Sequence, residues 1–114
     1  MHQLPDIIKA IALNNKLDES RDLATMVLDS LVGSLKKMNK DVRSRGVKKA
    51  PFVVLIGAQM PSVLAEISFL TNKQELQLLK TAAYKDRIAK SLYDAVVKYR
   101  RSLKGAATLA VERQ

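Results

Sequence analysis

One acid stands inside the most apolar part of this sequence. Glu66 interrupts the run Val63-Leu-Ala-Glu-Ile-Ser-Phe69, whose other members are apolar or small. A carboxylate surrounded by hydrocarbon costs several kcal/mol unless it is paired, or it takes up a proton by raising its pKa. If the run is a strand, alternation sends Leu64, Glu66 and Ser68 to one face and Val63, Ala65, Ile67 and Phe69 to the other. The small Ser68 then leaves space beside the acid. Two chemistries fit: a structural carboxylate satisfied by Arg, Lys or backbone donors, or a general acid/base whose pKa burial has lifted toward the working range. The residues alone leave both open.

Other reactive groups are scarce. His2 is the only histidine and there is no cysteine, which removes Ser-His-Asp and Cys-His nucleophilic arrangements, disulfides and thiolate metal sites. A zinc site takes three or four protein ligands, so His2 is read as an idle surface side chain and no residue is assigned to a metal. Cations are plentiful and grouped. Lys36, Lys37, Arg43, Arg45, Lys48 and Lys49 either solvate a loop with a short edge strand near Val42 to Val47, where charge discourages pairing, or receive the phosphate or carboxylate groups of an anionic polymer.

The elements that must position Glu66 follow from periodicity. Phe52 to Ile56 is a continuous β-branched and aromatic run, suited to a strand covered on both faces. Gly57-Ala-Gln-Met-Pro61 joins it to a second strand, Val63 to Phe69. Before them, Asp18 to about Lys40 reads as an amphipathic helix with Leu23, Met26, Val27, Leu31, Leu35 and Met38 at spacings of three and four. Gly33 inside it suggests close backbone packing or a kink. After them, Asn72 with Glu75 three residues on has capping-box spacing and opens a short helix through Leu79. A longer helix from Ala83 to Leu103 places Ile88, Leu92, Val96, Tyr99 and Leu103 on one face. Residues 1–16 form a short helix or strand, and 104–114 a disordered tail.

The ordered residues Pro61-Ser-Val-Leu-Ala-Glu66-Ile-Ser-Phe-Leu-Thr-Asn72, followed by an acidic helix start, resemble the C-terminal part of the zinc-dependent N-acetylmuramoyl-L-alanine amidases. The likeness extends from about Leu17 through Glu19-Ser-Arg-Asp-Leu-Ala24, across Gly46 to Phe52, and along the helix from Tyr84 to Tyr99. It implies an α/β fold: a partial three-layer sandwich of two or three core strands with flanking helices, residues 17–103 being the C-terminal portion of a larger catalytic domain. It implies that Glu66 is the catalytic acid/base for hydrolysis of the amide between N-acetylmuramic acid and the L-alanine of the peptidoglycan stem. Ser68 stands where the family usually has Gly. The family's zinc ligands, His, Glu and His, belong to segments upstream of everything in this chain. The expectation is therefore zinc in a complete domain, none bound by this chain alone, negligible activity without the upstream half, and peptidoglycan as the partner.

Composition bounds the remaining choices. The chain has 114 residues, 47% hydrophobic, with a formal net charge of +9, so anionic partners are favoured. The alternative to an amidase segment is a non-catalytic basic module for an anionic cell-wall polymer or nucleic acid. Aromatics at 4% and no Trp make a stacking platform for nucleic acid a poor fit. No apolar run approaches the roughly 20 residues that span a bilayer. The N-terminus lacks the basic segment and apolar core of a secretory signal. Periplasmic or extracellular localisation follows from the resemblance, with the targeting signal expected upstream.

Overall fold

In the computed structural model, residues 4–50 and 52–112 are described; the expectation placed on His2 falls outside them. Four helical elements follow in order: α1 Leu4–Leu35, α2 Val53–Ile56, α3 Lys73–Leu79 and α4 Ala82–Glu112. Helix α1 begins with Pro5 and Asp6 in its first turn, where a missing N–H is harmless and a negative charge meets the positive end of the dipole. Neither Gly nor Pro interrupts the next 26 residues, so the helix expected from Asp18 is continuous with the segment before it. The chain leaves α1 through a turn closed by Asn39, whose N–H donates to the Leu35 carbonyl at 2.8 Å and whose Oδ1 accepts from the Asp41 N–H at 3.1 Å. Helix α4 opens on a Thr81 cap, Oγ1 accepting from the Tyr84 N–H at 3.2 Å, and runs past Leu103 to Glu112.

The two long helices pack together and own the core. Val27, Leu31 and Leu35 from α1 meet Tyr84 and Ala95 from α4, with Leu23, Met26, Ile88 and Leu92 packed against them. The seam on α4 runs through positions 84, 88, 91, 95 and 99, at spacings of three and four. Val96 and Leu103, expected on that face, are 54% and 47% exposed. Small residues bring the helices close, and Ser30 Oγ donates to the Ser91 carbonyl across the interface at 2.8 Å. The close packing expected at Gly33 is not found: a Cβ built there meets nothing within 4 Å.

The α/β expectation is overturned. No strand occurs among the described residues, so the partial three-layer sandwich, its two core strands and the edge strand near Val42 are absent from this structure. A strand's N–H and C=O groups need a neighbouring strand, and an isolated extended segment has none. The Phe52 run therefore satisfies itself locally. Leu55 and Ile56 N–H both donate to the Phe52 carbonyl at 3.0 Å, and Gly57 N–H to Val53 at 2.9 Å, making the single turn α2. Residues 61–69 are without regular secondary structure and cross the core, with Ala65 and Ile67 packed against it.

Much apolar surface stays uncovered. Val53 is 84% exposed, Ile56 65%, Met60 68% and Leu70 70%, and Ile7, Ile8 and Ile11 near the start of α1 are each about half exposed. The radius of gyration is 17.6 Å, against about 13 Å for a compact domain of this length. This chain does not close around its own core.

Candidate active site

The carboxylate that the sequence singles out is exposed rather than buried. Its neighbours Ala65 and Ile67 face the core while Leu64 and Glu66 point away, so local alternation survives without a sheet. No hydrogen bond or ion pair to Glu66 occurs among the described residues, whose one salt bridge is Lys90–Asp94 at 3.4 Å. Ser68 departs from the alternation: its hydroxyl oxygen is buried and has no hydrogen-bond partner.

Three polar side chains hold the Glu66 segment against the helices. Ser20 Oγ on α1 accepts from the Ser62 N–H at 3.0 Å. Ser62 Oγ donates back to the Leu55 carbonyl at 3.1 Å. Lys16 Nζ, one turn before Ser20, donates to the carbonyls of Leu55 and Ile56 at 2.8 and 3.3 Å, satisfying the orphan acceptors at the end of α2. At the far end, the Asn72 side chain accepts from the Glu75 N–H at 3.1 Å, as its spacing predicted, while Glu75 Oε2 accepts from the Phe69 N–H at 3.3 Å. The segment is thus pinned four residues before the acid and three after it. Lys16 and Ser62 were not legible as site residues, because their partners lie 39 and 7 residues away and follow no local pattern.

The basic loop reaches the same segment. The Arg45 guanidinium sits 4.5 Å from the centroid of the Phe69 ring, a cation–π contact. Lys40, Arg43, Lys48 and Lys49 beside it are exposed. Two grooves, of about 640 and 250 Å³, lie along the α1–α4 interface and are lined by residues such as Asp29, Ser30, Asp94 and Lys98. Neither includes a residue of the Glu66 segment. No group of three or more His, Cys, Asp or Glu able to hold a metal occurs among the described residues, so the residues present do not fit a zinc site.

Near the end of the core seam, the Tyr99 hydroxyl is buried without a partner. Burial raises its pKa above the ordinary 10.0, and the acids Glu19 and Asp22 push it the same way.

Residues 8–98 match the family described as N-acetylmuramoyl-L-alanine amidase. The chain is 40% identical over 82 residues to the N-acetylmuramoyl-L-alanine amidase LytC of Bacillus subtilis, covering 72% of this chain and 16% of that protein. It is 34% identical over 98 residues to the N-acetylmuramoyl-L-alanine amidase AmiA of Escherichia coli, covering 86% of this chain and 32% of the relative. An uncharacterised Bacillus subtilis protein, YqiI, is 37% identical over 82 residues, which are 37% of its length. No solved structure matches. The chain spans between about a sixth and just over a third of the length of these relatives. The match takes in α1 from residue 8, the pinned segment with its unpaired acid, and most of α4, so the chain belongs to the N-acetylmuramoyl-L-alanine amidase family.

Proposed function

We propose that this chain is the portion of an N-acetylmuramoyl-L-alanine amidase that supplies the acid/base carboxylate, Glu66, for hydrolysis of the amide joining N-acetylmuramic acid to L-alanine in peptidoglycan. One observation supports this most: Glu66 has no cation partner among the described residues, yet it stands on a segment fastened at Ser62 and Phe69. A free carboxylate on an anchored backbone can take a proton from attacking water and deliver it to the departing amine.

The rest of the domain is its upstream part. Val53, Ile56, Met60, Leu64 and Leu70 leave exposed apolar side chains on and around the Glu66 segment, and packing of that part against them would cover them. Zinc, on which the family generally depends, would be held by residues of that part, because those described here do not form a site. A substrate in the cell wall places the action outside the cytoplasm, in the periplasm or beyond.

The test is Glu66→Gln in an active amidase that contains this segment. Gln preserves shape and removes proton transfer, so turnover of a muropeptide should fall by about 10²-fold or more with zinc content unchanged. Turnover within a few-fold of the parent would refute the role of Glu66.

A further inference from the structure

The stretch from Lys36 to Lys49 carries seven cationic side chains against one carboxylate, Asp41. It holds a net +6 of the chain's +9 in 14 residues. All seven cations are exposed, and none takes part in the one salt bridge among the described residues. The stretch is nonetheless rooted: Asn39 is buried and closes the turn, Val42 packs against the core, and Arg45 lies over Phe69. Phe69 is three residues from Glu66. The charge is therefore fastened beside the segment that bears the acid.

We infer that this loop is a docking surface for a phosphodiester polymer of the cell wall, which it would hold alongside the Glu66 segment. The cations are strung along an exposed stretch, and of the seven only Lys37 lines one of the two grooves, which suits an extended polyanion better than a small anion. Arg43 and Arg45 offer planar forks that match phosphate oxygens. Nucleic acid is the weaker fit because Phe69 is the one aromatic ring beside the patch and already carries the Arg45 guanidinium on a face, which is too little for a stacking platform. The choice of a wall polymer rests on the amidase reading, whereas the surface itself rests on charge and geometry.

The test measures binding of the purified chain to poly(glycerol phosphate), to peptidoglycan freed of phosphate polymer, and to duplex DNA, across a salt series. Poly(glycerol phosphate) should bind with steep salt dependence and more tightly than the other two. Lys48→Gln with Lys49→Gln should weaken that binding by about tenfold and lower the salt slope by about 2. Arg100→Gln with Arg101→Gln, an equal loss of charge on α4, should change it less than threefold. Equal effects of the two double variants, unchanged binding in the loop variant, tighter binding of DNA, or no binding at low salt would each overturn the inference. Glu66→Gln should leave polymer binding unaltered, so the surface and the catalytic assignment fail separately.

Discussion

Ser20→Ala removes the acceptor that ties the Ser62 amide to α1, and the structure says where the effect will show. The bond is 3.0 Å long, joins residues 42 apart and is partly buried, so its loss should cost about 1 kcal/mol. Alanine is also the better helix former, recovering up to about 0.5 kcal/mol within α1. The net change in global stability should therefore be small, below about 1 kcal/mol, and a melting curve alone would miss it. Local opening differs, because nothing compensates there. A loss of about 1 kcal/mol at Ser62 should speed its amide exchange about fivefold, with smaller increases through residue 69, while the α1–α4 seam around Leu31 and Ala95 keeps its protection. Hydrogen exchange resolved by residue is the assay, and Ser20→Thr, which keeps a hydroxyl, should restore most of the protection. Unchanged exchange at residues 62–69, or an equal rise across the whole chain, would show that Ser20 does not anchor the Glu66 segment.

Tyr99→Phe should stabilise the chain by about 1 kcal/mol at neutral pH, because the buried hydroxyl has no partner to lose. The sign with pH follows from its raised pKa: above pH 10 the unfolded chain gives up a tyrosine proton that the folded chain keeps, so the unfolded state gains and parental stability falls. The Phe variant lacks that decline, and its advantage in urea midpoint should widen between about pH 9 and pH 11; a variant less stable than the parent at pH 7 would contradict the unpaired hydroxyl. Gly33→Ala should raise stability by about 0.5 to 1 kcal/mol, since the helix gains propensity and an added Cβ meets open space. A loss on thermal melting would reveal a contact at that face.

The helical elements were legible because their causes are local. Threes and fours of apolar residues, the Asn72–Glu75 cap and the absence of Pro specify α1, α3 and α4 to within a few residues, apart from the start of α1 and the end of α4. Those bounds were underestimated because Asn14-Asn15 and Gly105 are weak helix formers but not breakers. The same patterning misplaced the outer part of the α4 face: it weighs Val96 and Leu103 by hydropathy, whereas close approach of two helices selects Ser91 and Ala95, small enough to let Ser30 reach across.

Sheet structure is a different matter. Phe52–Ile56 and Val63–Phe69 have strand composition, but composition reports only that a segment is fit to be paired, and pairing requires another edge. Without one among the described residues, the first segment closes a helical turn and the second lies irregular across the core. Glu66 was recognisable from sequence as an anomaly in hydrocarbon, and family likeness attached a chemistry to it. Only the folded chain decided that it is exposed and unpaired, that Ser20 on α1 anchors its segment while Lys16 caps the turn before it, and that Arg45 brings the basic loop alongside. Each of those depends on residues brought together across long separations, and no local pattern encodes such a meeting.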